Sequence, residues 1–319
     1  MAGAEPPAQP RHLPVMVAEV VDVLRPVPPG IIVDATVGAG GHAEALLEAL
    51  PRHALLGLDR DDAALALAGE RLARFGDRLT LRQANFDELA QVGAGPVSAV
   101  LFDLGVSSMQ LDEPERGFSY RGDGPLDMRA DRRQSTTAAD VVNGYDEASL
   151  ARVIARHGEE RFARRIAAAI VAARPLSTTG QLADVVRDAI PAPARRRGGH
   201  PARRTFQALR IEVNRELDVL SPALDQAIDA LVPGGRCVVL AYHSGEDRIV
   251  KERFRVAATG GCTCPPGLPC VCGAQPTVRL LNRGARKPTR LEVARNHRAE
   301  SARLRAVEKL PDPDPEDAA

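Results

Sequence analysis

The sequence predicts an α/β protein: a mostly parallel sheet with helices on both faces, interrupted midway by an all-helical insertion. Three observations carry this. Short apolar strands alternate with helical stretches from residue 15 to about 110, the rhythm of a parallel sheet. A glycine loop joins the first strand to its helix. From 112 to about 216 no convincing β run occurs, and a strand then returns at 236–242.

Taken in order, 15–24 has helical spacing and Ile31-Ile32-Val33 is a buried β-branched strand. Gly38-Ala39-Gly40-Gly41-His42-Ala43 follows, then an Ala/Leu/Glu-rich helix to Leu50. Glycines let a backbone turn sharply and approach a ligand, and the helix start offers N–H groups to polar or anionic atoms. The strand 54–58 ends in Asp59, about 20 residues past the glycines, where a carboxylate can accept ribose hydroxyls. A bare strand-to-helix turn would need the glycines but not Asp59. Together they imply an adenosine-containing cofactor and leave a dinucleotide open.

A helix over 62–74 and a strand over 79–82 lead to Asn85-Phe86-Asp87, and Val97–Phe102 is a strand delivering Asp103-Leu104-Gly105-Val106-Ser107-Ser108. Ligands bind at the carboxyl edge of such sheets, so Asp103 is a candidate for direct work on a substrate, although a helix cap would also use an aspartate there. A Gly/Asp/Arg-rich loop fills 113–133. Helices are expected at 138–142, 147–157, 160–173, 179–189 and 205–220, with Pro191, Pro193, Gly198 and Gly199 punctuating the last two. The α/β pattern resumes with a helix over 222–231, closed by Pro233-Gly234-Gly235, and a strand ending at His243-Ser244.

At 319 residues the chain can bury a full core, and 44% hydrophobic with 26% charged residues is ordinary for a soluble protein. No apolar run approaches the roughly 20 residues of a membrane span. Met1–Pro10 lacks the pattern of a secretion signal, so the cytoplasm is expected. Forty-two basic residues balance 42 acidic ones, but unevenly. Arg195, Arg196, Arg197, Arg203 and Arg204 cluster with His200, and nine Lys/Arg against two acidic residues lie between Arg279 and Arg305. Two basic islands suit a surface that grips phosphates, and equally suit solvated arginine on helix faces. Four of five cysteines fall in Cys262-Thr263-Cys264, Cys270 and Cys272; C-x-C is tighter than the usual zinc spacing. Two C-x-C pairs this close could form a small metal knot, or disulfides in an oxidising compartment; the expectation is a reduced, Pro/Gly-rich surface loop, with no metal assigned.

Several long motifs resemble one family. Asp-Ala-Thr-Val-Gly-Ala-Gly-Gly-His at 34–42, Phe-Asp-Leu-Gly-Val-Ser-Ser at 102–108, Glu-Arg-Gly-Phe-Ser at 115–119, Gly-Pro-Leu-Asp-Met-Arg at 124–129, Gly-Glu-Glu-Arg-Phe-Ala at 158–163 and the run from His200 to Asn214 closely resemble the bacterial ribosomal RNA small subunit methyltransferase H family (RsmH, also MraW), from about His12 to Arg305. Gly245, Arg203 and His297 stand where the family commonly has leucine, threonine and proline. The resemblance implies a class I (Rossmann-like) S-adenosylmethionine-dependent methyltransferase domain, 1–111 and 217–310, interrupted by a helical substrate-recognition domain, 112–216. Residues 311–319 are expected to form a disordered acidic tail. It implies methylation of the exocyclic N4 of a cytidine in the decoding region of 16S rRNA in the small ribosomal subunit. Gly40, Gly41 and His42 would contact the cofactor, Asp59 its ribose and Phe86 its adenine surroundings; Asp103 and Gln110 match further cofactor-pocket positions. Asp103 is the expected catalytic residue, with His243, Arg195, Arg196 and Arg197 on the substrate side. A dehydrogenase, a non-catalytic RNA-binding assembly factor and a DNA amino-methyltransferase are the competing readings. Monomer and homodimer both stay open.

Overall fold

The computed structural model describes residues 14–93, 95–196, 199–265 and 271–312. Arg197, Cys270 and the tail from 313 lie outside the described residues.

The chain divides into two compact units. The first comprises Met1–Asp59, Ala63–Leu104 and Ala223–Ala319, and contains the whole sheet. Its strands are β1 (Ile31–Asp34), β2 (Ala54–Asp59), β3 (Leu79–Gln83), β4 (Val97–Asp103), β5 (Leu231–Ala241), β6 (Val278–Leu280) and β7 (Arg303–Lys309). They lie in the order β3-β2-β1-β4-β5-β7-β6. β1 to β5 are parallel, and β7 runs antiparallel to both β5 and β6. Central β4 is buried from Val97 to Phe102, as a strand covered on both faces must be. Ile32, Leu55, Leu101, Val238 and Leu240 pack with Val20, Leu24, Leu46 and Leu47 of the helices Val17–Leu24 and Gly41–Ala49 in one continuous core.

The basic island at 279–305 holds a finding that its composition hides. Its end begins β7, where Leu304, Ala306 and Val307 are buried beneath arginines. Arg305 is bonded to Asp247 at 2.7 Å, and Arg279 pairs with Glu308, also at 2.7 Å. Those cations are engaged within the fold, which argues against the whole island as a phosphate grip.

The second unit, Arg60–Asp62 with Gly105–Pro222, is all-helical apart from one isolated bridge. Helices Glu147–Gly158, Ala163–Ala172, Thr179–Ala189 and Arg203–Asn214 bury Leu150, Ile154, Ile166, Ile170, Leu182, Val186, Phe206 and Leu209 at helical spacing. Asp146 and Thr178 cap two of them. The unit extends beyond the expected 112–216 for identifiable reasons. At one end, Gln110 in the helix Ser108–Asp112 donates from Nε2 to Asp61 at 2.9 Å, and buried Arg116 pairs with the same carboxylate at 2.8 Å. At the other, Glu216 accepts from Arg210 at 2.8 Å.

The expected helix over 205–220 breaks at Arg215, which adopts φ +51°. Asn214 ends its helix by clamping the preceding loop: its Nδ2 donates to Met128 O at 2.7 Å, and its Oδ1 accepts from Ala130 N–H at 2.8 Å. The next helix, Glu216–Ala230, runs through Pro222, so the sequence-based start at 222 is set too late.

Candidate active site

The site is assembled within the sheet unit, at the carboxyl edge of β2, β1, β4 and β5. Strand order reverses between β1 and β4, which opens a crevice at that edge.

From β1 the chain turns through Gly38 (φ +52°) and Gly40 (φ +80°) into the helix Gly41–Ala49. Gly40 is tightly confined, since a Cβ there would lie 3.0 Å from the Leu72 side chain. Gly38 faces open space, where a Cβ would meet only Thr36 O at 3.9 Å. Its N–H donates to Asp59 Oδ2 at 2.9 Å, tying the loop to the end of β2. A carboxylate has about four acceptor positions, enough to serve this N–H and other donors together.

Asp103 ends β4. Its backbone N–H donates to Thr36 Oγ1 at 2.6 Å. Tyr242 at the end of β5 donates its hydroxyl to Asp103 Oδ1 at 2.6 Å, and His42 Nδ1 lies 3.4 Å from Oδ2. The Asp103 side chain is still 25% exposed, enough to meet a ligand. The other His42 nitrogen, Nε2, lies 2.8 Å from the Val15 carbonyl, which can only accept. Nε2 therefore carries a hydrogen. Burial opposes a charge on His42, but Asp103, Asp34 and the Val15 carbonyl outweigh it and raise its pKa. Nδ1 is the ring nitrogen turned toward Asp103.

Asp34 lies beneath this pair, 1% exposed, accepting from Thr36 N–H at 3.2 Å. Burial, reinforced by Asp103 and Asp59 and opposed by His42, pushes its pKa up to about 7. Burial and the neighbouring Asp103 carboxylate hold the Tyr242 phenol well above its usual pKa, so it remains a donor.

Of the expected residues, Gly40, Gly41, His42, Asp59 and Asp103 lie at this edge of the sheet unit. Phe86 follows β3, half-buried, its ring edge-on to Phe102 at 5.9 Å. Gln110 belongs to the helical unit, where it completes a capping box with Ser107 and bonds Asp61. His243 caps the helix Ser244–Thr259: its Nδ1 accepts from Gly245 and Glu246 N–H groups. Glu246 reciprocates by accepting from Tyr242 N–H at 2.8 Å. Arg195 donates to Ile190 O at 2.7 Å and lies 3.5 Å from Asp188, while Arg196 is exposed. Sequence reasoning passed over Asp34, Thr36 and Tyr242, although two of them lie inside motifs it quoted.

This edge separates two uses of a glycine loop and an acidic strand end. A dinucleotide fold repeats its parallel half beyond the reversal point. Here the second half closes with β7 antiparallel, inserted between β5 and β6. That sheet is Rossmann-like without a second dinucleotide half, which argues against the dehydrogenase reading, and the family match makes it the sheet of an S-adenosylmethionine-dependent methyltransferase. The residues present fit such a cofactor: open space at Gly38, and carboxylates at the ends of β2 and β4 able to meet hydroxyl and cationic groups. The sequence profile described as the MraW methylase family matches residues 9–310, and the chain belongs to that family. It is 56% identical over 321 residues to a protein of Acidothermus cellulolyticus, covering 97% of each chain. It is 55% identical over 316 residues to one of Frankia alni, covering 95% of this chain and 97% of the relative. Both are named Ribosomal RNA small subunit methyltransferase H.

Proposed function

We propose that this chain transfers a methyl group from S-adenosylmethionine to the exocyclic N4 of a cytidine in 16S rRNA, in the decoding region of the small ribosomal subunit. The observation that carries this reading is the Asp103 carboxylate, at the sheet's reversal point beside the glycine loop and still partly exposed. Family membership and the relatives' names support the ribosomal substrate.

S-adenosylmethionine supplies an electrophilic methyl group on a positively charged sulfur. The protein's task is chiefly positioning, because an in-line displacement depends on alignment. Asp59 and the Gly38 turn hold the ribose. Asp103 accepts the amino hydrogens of the target base, favouring a localised nitrogen lone pair over one spread into the ring, and stabilises the positive charge that develops on nitrogen. Asp103 then removes the proton. Tyr242 and His42 fix the orientation of that carboxylate, and the His243 and Glu246 capping box fixes Tyr242. His243 is thereby a positioning residue in this scheme.

The base reaches Asp103 unstacked from its neighbours. Phosphates of the RNA are assigned to the exposed arginines of the helical unit, Arg196, Arg203 and Arg204, with half-buried Arg195 beside them. A ribosomal substrate puts the reaction in the cytoplasm. No helix of the described residues is long and apolar enough to cross a membrane.

The test is incubation with labelled cofactor and small subunits lacking the modification, followed by mapping of the methylated base. Label at a cytidine N4 of 16S rRNA is expected. RNA binding without methyl incorporation would make the chain a non-catalytic assembly factor and overturn the proposal.

A further inference from the structure

The connection from 260 to 277 joins the helix Ser244–Thr259 to β6. At eighteen residues it is longer than most connections, and its described residues, 260–265 and 271–277, form no helix or strand. Apolar burial does not hold it: none of its described residues is buried, and Val271 is 88% exposed. Its ends are tied to the helix by backbone bonds, Gly261 N–H to Val256 O at 3.0 Å, Cys262 N–H to Thr259 O at 3.1 Å and Thr277 N–H to Ala257 O at 2.9 Å. Gly260 and Gly273 turn through φ +60° and +68° just outside the cysteines.

Within this core-less segment the sulfurs of Cys262, Cys264 and Cys272 converge, all within 4.8 Å of one another. Cys262 and Cys272 Sγ atoms lie 3.6 Å apart. A tetrahedral zinc with Zn–S of about 2.3 Å sets its thiolates about 3.8 Å apart, whereas a disulfide needs about 2.05 Å. As thiols the three can share S–H···S hydrogen bonds, as Cys272 does with Cys262, and on losing their protons they would need a cation between them. An all-sulfur set selects a soft cation over magnesium or calcium.

We propose that Cys262, Cys264 and Cys272 bind one zinc ion, a structural clasp fastening the end of the helix Ser244–Thr259 to the approach of β6. Cys270 completes the sequence pattern but lies outside the described residues and is not assigned as a ligand. The tight C-x-C spacing favoured a plain reduced loop and left a metal knot open; the convergence of the sulfurs favours the metal.

The test uses the full chain, purified under reducing conditions without chelator. Elemental analysis is expected to find about one zinc per chain. After removal of zinc and addition of Co²⁺, thiolate-to-cobalt charge-transfer bands in the near ultraviolet and tetrahedral d–d bands in the visible should appear. Cys262→Ser and Cys272→Ser should each weaken cobalt binding about tenfold or more, while Cys237→Ala, in the buried strand β5, should not. Chelation should lower Tm. Failure of the reduced wild-type chain to take up zinc, with cobalt spectra staying octahedral, would overturn the proposal even if the variants misfold. So would metal retained by the Cys262/Cys264/Cys272 triple serine variant, or rapid alkylation of a freshly lysed sample that finds Cys262 and Cys272 already joined as a disulfide.

Discussion

Asp103→Asn tests the catalytic proposal most directly. Asparagine keeps the shape of the side chain but replaces one acceptor oxygen by an amide nitrogen. Two groups now face the carboxylate: the Tyr242 hydroxyl donates to it at 2.6 Å, and His42 Nδ1 lies 3.4 Å away. The amide can accept from one of them and must present its own hydrogens to the other. The lost charge-assisted bond costs about 1.5–3 kcal/mol of local stability. The chemical effect is larger, because the amide nitrogen cannot accept the amino hydrogens of the base and the amide takes up no proton. Loss of a positioned acceptor and base lowers kcat about 10²–10⁴-fold, equivalent to about 3–5.5 kcal/mol. Cofactor affinity should change only a few-fold, since Asp59 and its 2.9 Å bond from Gly38 are untouched. Single-turnover transfer of labelled methyl into unmodified small subunits reads the first quantity, and titration calorimetry reads the second. Full-rate methylation with unchanged cofactor affinity would refute the role given to Asp103.

The other predictions follow from the same network. Tyr242→Phe removes one donor but leaves the carboxylate, so kcat should fall about tenfold, between wild type and Asp103→Asn; equal losses for both variants would mean that Tyr242 does more than orient. Asp59→Ala should weaken the cofactor about 10–100-fold by calorimetry while RNA affinity stays the same, and an unchanged cofactor Kd would remove Asp59 from the ribose site. Asp34, with a folded pKa near 7 against the usual 3.8, keeps a proton that the unfolded chain has released. Its contribution is therefore complete below about pH 4 and is lost as pH rises through about 7, amounting to at most about 4 kcal/mol. His42, raised above 6.5, acts in the same direction and is lost as pH passes its folded value. Urea unfolding across this range should show a shallower decline for Asp34→Asn, and parallel curves would contradict the buried-carboxyl account. Arg196→Ala with Arg203→Ala should weaken RNA binding and reduce its log–log salt slope by about 0.7–0.9 for each phosphate no longer neutralised. Filter binding at several salt concentrations reads that slope, and an unchanged one would take these arginines out of the RNA surface.

How much was legible follows from which interactions are local. Strand and helix identities in the sheet unit came from β-branched runs, 3.6-residue periodicity and glycines, all read within a few neighbours. Asp59 and Asp103 were legible because each ends an apolar strand, and strand ends of a parallel sheet share one edge. β7 was not, because arginines alternate with its buried Leu304, Ala306 and Val307 and mask the apolar pattern. The helix break at Arg215 escaped notice because its cause is a clamp from Asn214 to residues more than 80 positions earlier.

The sequence by itself determined the fold class, the cofactor loop, the helical interruption and the family, since motif order and periodicity are properties of the chain. Only the tertiary structure decided that Asp103 is held by His42 and by Tyr242, 139 residues away, above a carboxyl group that burial keeps near neutrality. It also brought three cysteine sulfurs together in a loop whose spacing alone left a metal knot, a disulfide and a plain reduced loop all open. Hydrogen-bond reach and desolvation depend on distance in space, and a one-dimensional pattern records neither.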